Sequence, residues 1–123
     1  MKDIDRGWLA GILEGEGSFG LYTSKGGKGS TSLIWRIQIS MADKDIIERV
    51  QALIGGRLYS YPSKSPKHST MWKLHITKRH EVIAVLLLVR DLMGERRGKK
   101  FDEMIEASNS FQDKRGHNLK KLV

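Results

Sequence analysis

Leu9-Ala10-Gly11-Ile12-Leu13-Glu14-Gly15-Glu16-Gly17, followed by Ser18-Phe19, reads as a helix that breaks the habits of helices in water-soluble domains. Trp8, Leu9, Ile12 and Leu13 recur at helical spacing, and Asp3 or Asp5 can cap a helix that this pattern carries to about Glu14. Gly7, Gly11 and Gly15 fall at i, i+4 and i+8 on one face. Each costs about 0.5 to 1 kcal/mol relative to alanine. A stripe of small residues lets another backbone approach closely. That backbone belongs either to a neighbouring helix of the same chain or to the same helix of a second copy across a two-fold axis. The spacing leaves both open.

Glu14 and Glu16 sit at the C-terminal end of this helix, where the macrodipole disfavours negative charge. Two copies pairing through the glycine stripe would also bring like charges together near the axis, which raises carboxylate pKa values or demands a cation. A hard divalent cation such as Mg²⁺ is the natural resolution if phosphates reach the same place.

Beyond the helix, Ser18 to Thr23 and Ser32 to Ser40 alternate as half-buried strands around a Gly, Ser and Lys loop from Ser24 to Thr31. Asp43 or Asp45 then starts a second helix, Asp45 with Glu48 as a capping box, and Gly55-Gly56 ends it. Arg57 to Tyr61 and Thr70 to Thr77 form a second strand pair whose tip, Pro62 to Ser69, is polar and basic. Helices are expected over about Arg79 to Met93 and Lys99 to Ser108. One domain over residues 1–111 would be followed by a basic, loosely ordered tail over 112–123. The order predicts an α+β fold with a four-stranded antiparallel sheet and helices stacked on one face. By alternation, Tyr22, Arg36 and Gln38 of the first hairpin share the other face with Arg57, Tyr59, Tyr61, Lys73 and His75 of the second. Arginine reads guanine and glutamine reads adenine in the DNA major groove, so this face suits DNA.

The charge distribution agrees. The 123 residues carry 22 Lys+Arg against 14 Asp+Glu, a net charge of +8. No acid lies between Gly17 and Ala42 or between Arg49 and His80, where Lys25, Lys28, Arg36, Arg57, Lys64, Lys67, Lys73, Lys78 and Arg79 cluster. Strands disfavour Asp and Glu, but they disfavour Lys as well. With 0 cysteines, disulfide scaffolds, thiolate zinc sites and cysteine nucleophiles are excluded. The longest apolar run, Val82 to Val89, is far short of the ~20 residues that span a bilayer. A soluble intracellular protein of cytoplasm or organelle matrix is therefore expected, with no membrane partner and no small-molecule substrate. His68, His75, His80 and His117 share no metal-ligand spacing.

The nine residues Leu9 to Gly17 resemble the signature of the LAGLIDADG homing endonucleases, matching in identity or chemical type at every position but Gly15. Ile37-Gln38-Ile39-Ser40-Met41-Ala42-Asp43-Lys44-Asp45 is similar to that family's second strand running into its second helix, and the resemblance covers about Asp3 to Ser108. It implies an αββαββα fold with a saddle-shaped sheet. It also implies a homodimer, because the chain holds one motif, with Gly7, Trp8, Gly11, Ile12 and Gly15 at the interface. The family's metal-binding acid falls on Glu16, with the Gly17 carbonyl beside it and Lys99 or Lys100 as the supporting cation. The implied function is site-specific double-strand cleavage of a long, roughly palindromic duplex, dependent on Mg²⁺, with Mn²⁺ or Ca²⁺ able to substitute in binding. Base and phosphate contacts would come from the sheet face and from Ser24, Lys25, Lys28, Lys64 and Lys67 at the hairpin tips. Met41 stands where the family often has a water-organising Gln. A non-catalytic DNA-binding regulator or an RNA maturase on the same fold is the alternative, and a basic structural protein without sequence preference is a third.

Overall fold

The computed structural model describes residues 1–27, 31–62 and 70–114, with side chains described to residue 110. Four helices, α1 (Asp3–Glu16), α2 (Lys44–Ile54), α3 (Arg79–Val89) and α4 (Glu95–Lys114), accompany four strands, β1 (Gly17–Lys25), β2 (Thr31–Met41), β3 (Arg57–Tyr61) and β4 (Met71–Ile76). A short 3₁₀ turn, Arg90–Leu92, joins α3 to the approach to α4. The sheet is antiparallel throughout with strand order β1-β2-β4-β3, so the two hairpins meet through β2 and β4. This is the expected α+β architecture.

Alternation sorts the sheet. Trp35, Ile37 and Ile39 of β2 and Leu74 and Ile76 of β4 point to one face and are buried. Leu9 and Leu13 of α1, Ile47 and Val50 of α2, Val82, Leu86 and Val89 of α3, and Phe101 and Met104 of α4 close over them. The one polar group of Trp35 is satisfied at depth: its indole N–H donates to the Met104 carbonyl at 2.9 Å. That bond ties β2 to the last helix, as a buried indole requires.

Several boundaries depart from the sequence reading. α1 starts after Lys2, with Asp3 and Asp5 in its first turn and no side-chain cap, and runs on to Glu16. α2 is entered at Asp43, again without a side-chain cap bond, so Asp45 does not open a capping box. Gly55 and Gly56 do end α2, with φ of 76° and 103°. These are left-handed values that glycine adopts without strain. α4 begins at Glu95 rather than Lys99 and passes through the expected boundary at 111/112 to Lys114. The early start was masked by Arg96, Arg97, Lys99 and Lys100, since cations in the first turns oppose the helix dipole. No described helix is long and apolar enough to cross a membrane.

Phe101 is fully buried where α4 meets β1, edge-on to Phe19. Phe101→Ala is expected to destabilise the fold by about 3 to 5 kcal/mol, measured by urea denaturation.

Candidate active site and nucleic-acid interface

The chain turns from α1 into β1 at Gly17 in extended conformation, φ −79° and ψ 146°, and the Gly17 amide donates to the Leu13 carbonyl. The angles suit any residue, but the space does not. A Cβ at Gly17 would lie 2.6 Å from the Leu13 carbonyl oxygen and 2.8 Å from the Phe19 ring. Glu16 stands at the lip of this corner, exposed. Among the described residues it forms no ion pair.

Glu14 is placed differently, because residues two apart on a helix are separated by about 200° around its axis. Its carboxylate lies 3.8 Å from Arg97 Nε. It also packs against Gly94, where a Cβ would come within 2.7 Å of Oε1. Gly94 opens α4, its carbonyl accepting from the Gly98 amide at 2.8 Å. The acid that its own helix disfavours is thus taken up by the positive end of another helix and by an arginine.

Beside the corner, Gly17, Ser18 and Phe19 of β1 and Arg96, Arg97, Lys99, Lys100 and Glu103 of α4 line an open basin of about 520 Å³. Both candidate lysines, Lys99 and Lys100, face it. Four cations at the N-terminal end of one helix make a concentrated positive field suited to phosphate. The Gly17 carbonyl, expected beside Glu16 as a metal ligand, instead accepts a hydrogen bond from Arg97 Nη1 at 2.7 Å. A guanidinium at that distance repels a cation from the same oxygen, so Gly17 is better placed as a structural acceptor than as a ligand.

Met41 is a core residue. It is buried, pairs with Trp72 across β2 and β4, and joins Ile37 and Ile39 on the inner face. Its side chain therefore bears on packing rather than on water at the site. Gln38 pairs with Ser18, the residue after Gly17, on one side and with His75 of β4 on the other.

His75 pairs in turn with Arg57 of β3, so Ser18, Gln38, His75 and Arg57 form one row across the outer face. Ser40, Lys73 and Tyr59 form the next. The cations are held against rings: Arg36 lies 4.7 Å from the centroid of Tyr22, and Lys73 lies 5.0 Å from that of Tyr61. Such contacts restrain long side chains without removing their charge. Ser24 and Lys25 are exposed at the end of β1. Lys28, Lys64 and Lys67 lie outside the described residues.

The α1 stripe faces away from the other described elements. A Cβ at Gly7, Gly11 or Gly15 would meet nothing within 4 Å among the described residues, and the adjoining Ile4 is 78% exposed. The half-buried Trp8 and Ile12 flank the stripe. The neighbouring-helix explanation of these glycines therefore fails within the described chain.

Mg²⁺ binds through one or two carboxylates and completes its shell with water and phosphate oxygens. The described residues contain no group of three acids or histidines that could hold a metal alone. Glu16, exposed and without an ion pair among the described residues, is a carboxylate of the kind such a shell uses, next in the chain to the basin-lining Gly17.

No protein-family model matches the sequence, and no curated protein matches it. Solved structures do. The archaeal intron-encoded homing endonuclease I-Vdi141I complexed with DNA superposes with a TM-score of 0.73 at 20% identity, over 92% of this chain and 72% of that one. The LAGLIDADG homing endonuclease I-LtrWI bound to target DNA gives 0.71 at 15% identity, over 94% of this chain and 40% of that one. The group I intron-encoded homing endonuclease I-CeuI complexed with DNA gives 0.68 at 17% identity, over 92% and 59%. The chain has the fold of the LAGLIDADG homing endonucleases.

His75 stays neutral to lower pH than an ordinary histidine, chiefly through burial and then through the charges of Lys73 and Arg36. The unfolded chain takes up this proton first as pH falls. The stabilisation is therefore complete above the ordinary value near 6.5 and is lost as pH drops from there through the folded-state value. The expected outcome is a decline in urea midpoint below that pH, reduced in His75→Gln. Lys73→Met should move the His75 titration upward when followed by NMR.

Proposed function

We propose that this chain is a LAGLIDADG homing endonuclease that works as a homodimer, cutting both strands of a roughly palindromic DNA site with a divalent cation. The observation that carries this reading is the exposed Glu16 at the α1–β1 corner, set between an uncovered glycine stripe and a basin of four cations. Pairing of α1 with its copy through Gly7, Gly11 and Gly15, with Trp8 and Ile12 at the margins, would bring two Glu16 side chains to one axis. It would also set two sheets side by side as a continuous DNA-binding surface. Similar structures that carry DNA support the choice of duplex as partner.

Each residue has a separate task. Glu16 of each copy holds Mg²⁺, or Mn²⁺ or Ca²⁺ in its place. The cation supplies charge stabilisation to the phosphate being cut. Lys99 and Lys100, with Arg96, draw the scissile region of the backbone toward the corner and offset its charge. Gln38 and Ser18, paired across β1 and β2, offer donors and acceptors that can orient water beside Glu16. Farther out, Arg36, Arg57, Tyr59, Tyr61, Lys73 and His75 meet base edges and phosphates, with Tyr22, Ser24 and Lys25 beside them; Lys28, Lys64 and Lys67, outside the described residues, are proposed as further DNA contacts on their charge alone.

Incubation of purified protein with a random duplex library and Mg²⁺ tests the whole reading. The expected result is a discrete double-strand cut at a roughly symmetric site, reduced by at least ~10³-fold in Glu16→Gln, in line with losing a main charge-stabilising group. DNA binding should persist in that variant. Sequence-specific binding without any cut, unaffected by Glu16→Gln, would instead identify a non-catalytic binder.

Gly11→Leu separates dimerisation from folding. A Cβ at residue 11 would meet nothing within 4 Å among the described residues, so the monomer should be at least as stable as the wild type, given a helix-propensity gain of up to ~1 kcal/mol. Sedimentation should show loss of the dimer, and cleavage should disappear with it.

A further inference from the structure

Arg97 grips the chain on both sides of Glu16. Its Nη1 donates to the Gly17 carbonyl at 2.7 Å, one residue after Glu16. Its Nε lies 3.8 Å from the Glu14 carboxylate, two residues before it. The guanidinium carbon sits 5.6 Å from the centroid of Phe19, and Phe19 meets the buried Phe101 edge-on at 4.6 Å. Arg97 and Phe101 are one turn apart on α4, and Gly17 and Phe19 share a face of β1. One polar and one aromatic contact thus lock the start of β1 onto α4. The Arg97 side chain is 20% exposed, whereas Arg96, Lys99 and Lys100 are open to solvent.

We propose that Arg97 is a positioning residue that fixes the direction in which the Glu16 carboxylate leaves the corner, and that it does not itself bind DNA phosphate. The proposal rests on the reading that Glu16 holds a cation. A planar guanidinium can span a carbonyl and a carboxylate at once, because its donors point along different directions; a lysine ammonium is a single point on a flexible stem. Its charge also faces the negative end of α1. Through Arg97 and Gly94, Glu14 is engaged with α4 while Glu16 is left free, so the two glutamates have different work.

Arg97→Lys in the full chain keeps the charge and removes the fork. Two readouts decide the matter. Backbone ¹⁵N relaxation at the Glu16 amide should fall from an order parameter of about 0.85 toward the 0.6 that marks flexible backbone. The Mg²⁺ concentration for half-maximal single-turnover cleavage should rise by about tenfold, as for other residues that orient a metal ligand, while DNA affinity in EDTA stays within about twofold of the wild type. Glu14→Gln, which keeps the Gly17 contact, should shift both readouts the same way by less. An Arg97→Lys variant with a rigid Glu16 amide and unchanged Mg²⁺ dependence overturns the proposal. So does a loss of affinity in EDTA with a salt slope lowered by about 1, which marks a phosphate contact. A wild-type protein that cuts no DNA would sink the cleavage reading, and the clamp would then stand or fall on the Glu16 relaxation alone.

Discussion

A Cβ at residue 17 would lie 2.6 Å from the Leu13 carbonyl oxygen, so the corner between α1 and β1 closes only around a glycine. Because it closes tightly, Phe19 reaches Phe101 and the Gly17 carbonyl reaches Arg97. The helix is thereby pinned at the end that carries the candidate metal-binding acid. Its opposite faces then divide cleanly: Leu9 and Leu13 are fully buried, and a Cβ at Gly7, Gly11 or Gly15 would meet nothing within 4 Å among the described residues. A helix with richer side chains on the outer face could pack as well against its own sheet. It could not bring a second backbone close.

The electrostatics follow from the same corner. Helix α4 begins with a run of cations that its own dipole disfavours. Helix α1 ends with acids disfavoured for the opposite reason. The fold sets the two ends against each other, and Glu14 near Gly94 and Arg97 relieves part of both penalties. What remains without an ion pair among the described residues is Glu16 on one side and Arg96, Lys99 and Lys100 on the other. Elsewhere, ion pairs such as Arg90 with Asp102, two contacts at 2.7 and 2.8 Å, sit on the surface; Gly98 leaves room for that guanidinium.

On the outer face, the same economy of space operates. Gly20 lets the Tyr22 ring fold back over the strand, where Arg36 meets it. Burial and two neighbouring cations lower the pKa of His75, which lies within hydrogen-bonding distance of Tyr59. The face is therefore basic without being a loose brush of lysines, and its rings and cations are held at defined rows by the strand register.

Much of this was legible in the residues themselves. Alternation in Leu33 to Ile39 and Trp72 to Ile76 names the inner face, and the glycine stripe with its terminal acids marks α1 as special. Periodicity and side-chain chemistry are local properties, so they survive without a structure. Helix ends were less legible, because Asp3, Asp5 and Asp45 look like caps, yet no side-chain cap bond forms at either helix. The start of α4 was hidden because its cations oppose helix formation locally and are tolerated only where Glu14 and the corner face them. The difference between Glu14 and Glu16 and the grip of Arg97 on Gly17 were decided by tertiary structure alone. Both depend on a residue some 80 positions away coming within 3 or 4 Å, and that separation is set by how two helices and a strand close on one another.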